Sequence, residues 1–314
     1  MQTAFSLSTV AVPTAIALGN FDGIHRGHRR VIEPVLMAEG AHRSVVSFRP
    51  HPQEFFTGQQ RALLTPLNEK VARLEEIGIE QLVLIPFDQS IAVLDPQQFV
   101  EQILVNKLQA RLISVGENFR FGHRRAGDVA TLQRLAIAHG ITVHVTSLHT
   151  CGGERISSSA IRQALDQGEV NTANRLLGRP YRLIGTVVRG QQLGRTIGFP
   201  TANLVCPADK FLPRRGVYAV QVSLEGSASH QPLLPGVMNL GLRPTVDGIK
   251  QTIEVHLLEW TGDLYGRVLS VDLKSFLRPE QKFESLNALK AQIQADCSRA
   301  KRLIPYHSSS VRDC

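Results

Sequence analysis

The hydrophobic rhythm of this chain changes once, and the change restricts what it can fold into. Up to about residue 167, short β-rich apolar runs recur: "TAIALG" (14–19), "RSVVSF" (43–48), "QLVLIPF" (81–87), "RLISVG" (111–116) and "ITVHVTS" (141–147). Helical patterns such as "DPQQFVEQILVNKL" (95–108) and "GDVATLQRLAIAHG" (127–140) separate them. Phe99, Ile103 and Leu104 recur at one-face spacing, and Asp95 followed by Pro96 supplies an N-cap and a first-turn proline. Strand and helix in alternation imply a parallel sheet with helices on both faces. From about residue 182 strands follow one another instead: "YRLIGTVVRG" (181–190), "GVYAVQVSL" (216–224), "GVMNLG" (236–241), "QTIEVHLLEW" (251–260) and "RVLSVDLKSFL" (267–277). Strands in succession imply an antiparallel barrel or sandwich, closed by the helical "ESLNALKAQIQADCSRA" (284–300). The break near "LLGRPY" places one domain at 1–178 and another at 179–305, with a frayed tail at 306–314.

A length of 314 residues fits two domains of the usual size. No apolar run approaches a membrane span, and no basic flank followed by an apolar stretch opens the chain, so neither a membrane partner nor secretion is expected. Cys151, Cys206, Cys297 and Cys314 lie far apart with no CxxC pair, which reads as reduced thiols in a cytoplasmic protein. The net charge is +8, carried by 27 Arg against 8 Lys. Arginine's planar fork suits phosphate, although a GC-rich coding sequence would give the same bias. Basic residues are spread along the chain without a K/R-rich tract, so a nucleic-acid partner is not expected; a homo-oligomer remains open.

The stretch "GNFDGIHRGH" (19–28) falls where the first of these runs gives way to a helix. In parallel sheets, ligands sit beyond the carboxyl ends of the strands. Gly19 and Gly23 allow a tight turn, and His25 and His28, at i and i+3, share one face of the first helical turn. A helix start attracts phosphate, and two imidazoles there can donate to phosphoryl oxygens. A zinc pair or surface histidines are the alternatives; zinc would want further ligands, and no HExxH or nearby cysteine supplies them. Later, "ISSSAIRQAL" (156–165) sets hydroxyls at a helix start with Arg162 one turn in, which is either an anion site or a plain serine N-cap.

The second half lacks GxxxxGK[ST], HRD and DFG, so neither a P-loop enzyme nor a protein kinase is supported. In "GFPTAN" (198–203), Gly198 and Pro200 fix a loop from which Thr201 and Asn203 point oxygens the same way, as a hard cation prefers. "RGQQLGR" (189–195), with Gly190 and Gly194, is a phosphate wrap or only a loop. Glu254 alternates with Ile253 and Val255, which by pattern alone is a solvated strand face.

"GNFDGIHRGH" resembles the HxGH signature of nucleotidylyltransferases. With "FRPHP" (48–52), "GENFRFGHRRAGD" (116–128) and "ISSSAIRQAL", it resembles the bifunctional bacterial riboflavin kinase/FAD synthetase family. "GRTIGFPTANL" (194–204), "GVMNLGLRPTV" (236–246) and "DLYG" (263–266) resemble the kinase half, so the resemblance covers nearly the whole chain. It implies a Rossmann-like nucleotidylyltransferase domain that transfers AMP from ATP to FMN, giving FAD and pyrophosphate. It further implies a flavokinase-like β-barrel that phosphorylates riboflavin with ATP and magnesium. By that resemblance His28 and His25 contact the ATP phosphates, Gly19 and Asn20 shape the nucleotide pocket, and Ser157, Ser158 and Arg162 bind the triphosphate. Asn118, Phe119 and Arg125 hold the flavin, and this chain has Asn118 where the family commonly has an aspartate. Thr201 and Asn203 serve the magnesium and phosphate site, Gly190 and Gly194 wrap phosphate, and Glu254 deprotonates the ribityl 5'-hydroxyl. An RNA-related HxGH enzyme and an inactive flavin-binding regulator are the rival readings. Pro34, six residues past His28, is expected to remove a hydrogen bond from the first helix.

Overall fold

The computed structural model describes residues 1–147, 150–151, 154–190, 192–224, 233–245 and 248–304; the expected tail at 306–314 lies outside them. The chain divides into two compact units, Met1–Ser158 and Ser159–Cys314.

The first unit is built on six parallel strands: β1 (Gln2–Ala4), β2 (Thr14–Leu18), β3 (His42–Arg49), β4 (Gln81–Pro86), β5 (Ala110–Gly116) and β6 (Thr142–Thr146), in the order β1-β4-β3-β2-β5-β6. All five residues of β2 are buried, as a central strand covered on both faces requires. Ala15 and Ala17 pack with Val31, Ile32 and Val35 of the helix Arg26–Leu36 and with Leu74 of the helix Leu67–Ile77. Ile16 and Leu18 face the other way, toward Val100 and Leu104 and toward Leu132 and Ala136 of the helix Val129–Ile137.

Asp95 forms the expected N-cap with Pro96 in the first turn, and Asp95 and Gln98 cap each other reciprocally at 2.8 and 3.1 Å. Beyond Gln98 the helix widens into a π-helix over Phe99–Lys107, continued by the Leu108 N–H bonding to the Ile103 carbonyl at 2.9 Å. The wider turn still buries Phe99, Ile103 and Leu104 in one cluster. Helix Arg26–Leu36 continues two residues past Pro34 before its cap at Met37. A short antiparallel pair, β7 (Thr150–Cys151) and β8 (Glu154–Arg155), follows β6.

In the second unit, β9 (Tyr181–Val188), β10 (Ala202–Val205), β11 (Gly216–Leu224), β12 (Leu234–Thr245), β13 (Gly248–Leu257) and β14 (Val268–Arg278) close an antiparallel barrel in the order β10-β13-β12-β11-β14-β9. The alternation in β13 sends Ile253, Val255 and Leu257 into the interior and leaves Glu254 half-buried on the outer wall. The helix Leu286–Leu303, capped by Ser285, lays Cys297 and Ala300 over Val217, Ala219 and Val237 on the outer face of β11 and β12. A buried ion pair between Arg278 and Asp296, 2.8 Å, ties the helix to the end of β14. Four short strands were not foreseen: β1, β7, β8 and β10, the last of which starts at Ala202 within the "GFPTAN" stretch read as a loop and runs on to Val205.

Candidate active sites

A cavity of about 890 Å³ opens in the first unit at the carboxyl ends of its strands. Gly19 and Asn20 follow β2, His51 and Pro52 follow β3, Phe87 follows β4, and Asn118 to Arg125 follow β5. Strand order reverses between β2 and β5, so the cavity occupies the switch point where doubly wound sheets bind ligands.

The stretch from Asn20 to His25 is held in an unusual conformation. Phe21 (φ 47°) and Ile24 (φ 40°) join Gly23 (φ 92°) in the left-handed region, and Ile24 is β-branched. Such backbone costs about 1–3 kcal/mol per residue and persists only when its surroundings impose it. Here both side chains are fully buried, the Gly23 N–H donates to Thr65 Oγ1 at 2.9 Å, and the Thr65 N–H donates to Asp22 Oδ1 at 3.1 Å. Ser158 Oγ donates to the Asp22 carbonyl at 2.8 Å.

His25 and His28 come together, but in unequal roles. His25 is the N-cap: its Nδ1 accepts the His28 N–H at 3.1 Å. A ring accepting at Nδ1 carries its proton, when neutral, on Nε2. The rings stack with centroids 3.6 Å apart and 14° between planes, and Phe21 leans on His28 at 5.1 Å. His28 lines the cavity, whereas His25 is buried behind it. Among the described residues no group of three His, Cys, Asp or Glu side chains is placed to hold a metal ion.

Asn118, Phe119 and Arg125 line the same cavity. Phe119 and Phe121 stack at 5.6 Å, and a reciprocal backbone bridge between Phe121 and Gly127 (3.1 and 2.9 Å) closes their loop. Gly127 is required there, because a Cβ would stand 2.7 Å from the Phe121 ring. Arg124 and Arg125 also adopt positive φ, and Arg120 and Arg155 add two more guanidinium groups to the lining. Phe56 and Phe87, which meet edge to face at 5.9 Å, add an aromatic wall to the same lining.

His51, Phe56, Phe87, Arg120, Arg124 and Arg155 were not singled out from sequence, although His51 stands in the "FRPHP" stretch. His51 caps the helix Pro52–Thr57, with Nδ1 accepting the Gln53 N–H at 3.0 Å and its own N–H donating to Glu54 at 3.0 Å. Burial, reinforced by the Arg61 charge, holds its imidazole below the ordinary histidine pKa. Ser157, Ser158 and Arg162 are absent from the cavity lining; Arg162 lies in the second unit, with its guanidinium over the Phe211 ring at 5.7 Å.

In the second unit the strand register brings together the residues expected to serve phosphorylation. Asn203 on β10 lies directly opposite Glu254 on β13, and Glu254 in turn lies opposite Asn239 on β12. Directly opposed residues bring their Cβ atoms to about 5 Å, so these three form one row across the wall. Thr201 precedes Asn203 by two residues, the spacing that puts both on one face of an extended chain. A Cβ on Gly190 would overlap the Asn203 carboxamide, and one on Gly194 would overlap the Phe199 carbonyl and stand 3.4 Å from Thr201 Oγ1. Gly190, Gly194, Thr201, Asn203 and Glu254 are thus one constellation. His256 Nδ1 fixes the approach to it through a 2.7 Å contact with the Pro200 carbonyl.

The sequence matches two families, FAD synthetase over residues 8–160 and riboflavin kinase over residues 177–304. It is 45% identical to a bifunctional riboflavin kinase/FMN adenylyltransferase of Escherichia coli strain K12, over 90% of each chain. It is 34% identical to the protein of the same name from Bacillus subtilis, over 92% of each chain. A solved structure of a macrolide-efflux protein from Streptococcus pneumoniae superposes with a TM-score of 0.84 at 28% identity, covering 95% of this chain and 98% of that one. Among the described residues, no helix of the present chain is long and apolar enough to cross a membrane.

Proposed function

The chain belongs to the bifunctional riboflavin kinase/FMN adenylyltransferase family and carries both activities, riboflavin to FMN and FMN to FAD with ATP, and we propose how its residues divide that work. Adenylylation is assigned to residues 1–178 and phosphorylation to residues 179–305. The enzyme is placed in the cytoplasm, with small-molecule substrates and neither nucleic-acid nor membrane partners.

In adenylylation the FMN phosphate attacks the α-phosphorus of ATP and pyrophosphate leaves. The nucleophile is already an anion, so no general base is needed; the protein aligns two polyanions and offsets their repulsion. His28, at a helix start and open to the cavity, donates to the phosphoryl oxygens. His25 supports it from behind through the ring stack and the cap. Gly19 and Asn20, which line the cavity, shape the nucleotide pocket, and Ser157 and Ser158, at the end of the same unit, are assigned to the triphosphate. Asn118, Phe119 and Arg125 hold the flavin, for which Phe56 and Phe87 supply an apolar wall.

In phosphorylation the nucleophile is a neutral hydroxyl, and a base is needed. Glu254 takes the 5'-hydroxyl proton as the oxygen attacks the γ-phosphorus and ADP leaves. The observation that carries this assignment is the register opposing Glu254 to Asn203 on the outer wall. Magnesium fits the donor set, since the Thr201 hydroxyl and Asn203 carboxamide are oxygen donors and the tight packing at Gly190 and Gly194 leaves the loop backbone close to them. When bound, the ion would offset charge on the transferring phosphoryl group. Incubation of the purified protein with riboflavin, ATP and magnesium, with chromatographic separation of the flavins, tests the whole reading. FMN and then FAD should accumulate, both should cease on adding a chelator, and both should return with magnesium; turnover persisting without metal would remove the magnesium assignment.

A further inference from the structure

Lysine is rarely buried, yet Lys70, on the helix Leu67–Ile77, is only 8% exposed. Its Nζ donates to the Asn20 backbone carbonyl at 3.1 Å, and Ser47 Oγ on β3 donates to the same oxygen at 3.3 Å. Asn20 immediately precedes the left-handed residues Phe21, Gly23 and Ile24 that lead to the His25 cap. Thr65, just before this helix, grips Asp22 and Gly23 through the Asp22 carboxylate and the Gly23 N–H. Burial holds the Lys70 amine below its ordinary pKa, with the Asp22 carboxylate opposing that shift. Protonated or neutral, the amine keeps an N–H for the carbonyl.

We propose that Lys70 is a positioning residue for adenylyl transfer, fixing the Asn20 peptide and through it the loop that presents His28 to the nucleotide phosphates. In a trans peptide the carbonyl and the following N–H point in opposite directions. Anchoring the Asn20 oxygen on Lys70 and Ser47 therefore turns the Phe21 N–H away from them, and both Asn20 and Phe21 line the cavity. With the anchor gone, this peptide can rotate and the adjoining strained residues Phe21 and Ile24 can relax, shifting the helix start that carries His28. Lys70 touches no reacting atom in this account; it acts through the backbone.

The inference rests on the adenylylating role of the first unit, so wild-type conversion of FMN to FAD is measured alongside every variant. Lys70→Met keeps the length and apolar stem and removes the donor. Its kcat for FAD formation from FMN should fall about 10- to 100-fold, the scale of a small misplacement of reacting groups, while KM for ATP changes less and riboflavin phosphorylation by the same chain is unaffected. Its melting temperature should fall, because the Asn20 oxygen loses a donor and the buried Asp22 carboxylate loses an opposing charge, so kcat is compared on protein shown to be folded. Lys70→Gln, which restores an N–H donor without a charge, should recover part of the lost kcat. An unchanged kcat in folded Lys70→Met overturns the proposal. If that variant does not fold, Ser47→Ala decides, since it removes the second donor to the same oxygen: a lowered kcat supports the anchor and an unchanged one overturns it. A wild-type chain that makes no FAD from FMN overturns the adenylylating role itself, a result distinct from equal activity in wild type and variant.

Discussion

In the first unit the candidate groups gather at the ends of parallel strands, where chain direction reverses into loops and helix starts. In the second, Asn203 and Glu254 lie along the side of antiparallel strands, spaced by register across a closed wall, next to the connection that carries Gly190, Gly194 and Thr201. Strand ends release backbone N–H groups and permit a strained, anion-facing turn, which suits a reaction whose nucleophile arrives charged. A strand side offers side chains in fixed rows, which suits a reaction that must hold a carboxylate beside a neutral hydroxyl. On the proposed assignment, the chain meets two phosphoryl chemistries with different parts of secondary structure.

The sharpest way to break this contrast is Glu254→Gln, which keeps size and hydrogen bonding but cannot accept the proton. Riboflavin phosphorylation should fall by about 10²- to 10⁴-fold while adenylylation of supplied FMN continues. Near-normal FMN formation from riboflavin would return Glu254 to the solvated face suggested by its alternation. The counterpart is His28→Ala, expected to lower FAD formation from FMN by about 10²- to 10³-fold, as for a lost oxyanion donor, with FMN formation unchanged. Gly190→Ala sharpens the picture of the barrel wall, because the added methyl must displace the Asn203 carboxamide. Phosphorylation should drop about 10- to 100-fold, and an active Gly190→Ala enzyme would mean that Asn203 need not stand where it does.

Much of this was readable before the structure, and the omissions have physical causes. The four inner strands of the first unit, β2 to β5, announce themselves as apolar runs, because a strand covered on both faces is largely hydrophobic; β6, exposed at the sheet edge, shows only through the alternation of Val143 and Val145. The three residues of β1 and four of β10 are too short for any periodicity to register. Glu254 was ambiguous because alternation separates inside from outside but cannot say which strand lies alongside; only register supplies Asn203 and Asn239 as its neighbours. His25 and His28 were legible as a pair, but their inequality was not, since it depends on which ring nitrogen caps the helix. Lys70, Thr65 and Phe87 reach the loop or the cavity from segments distant in sequence, and no local pattern marks them.

The smallest expected effect concerns pH and the first unit alone. His51 binds a proton less readily in the folded chain than its ordinary pKa of 6.5 allows. Its contribution to stability is therefore complete above that value and is lost as the pH falls through the lower, folded-state value. Protonation also costs the cap its acceptor, worth about 1 kcal/mol. Thermal melting followed between about pH 7 and about pH 5 should show this destabilisation, and His51→Asn, which keeps a cap without a titrating ring, should reduce its dependence on pH. A pH dependence identical in the variant would show that other groups govern acid stability.

The central claim, that the two activities reside in separate sites of different construction, is tested most directly by assaying both half-reactions on both catalytic variants. Folded His28→Ala should turn riboflavin into FMN at the wild-type rate and stall there, and folded Glu254→Gln should turn supplied FMN into FAD while leaving riboflavin untouched. Parallel loss of both half-reactions in either folded variant would contradict the account.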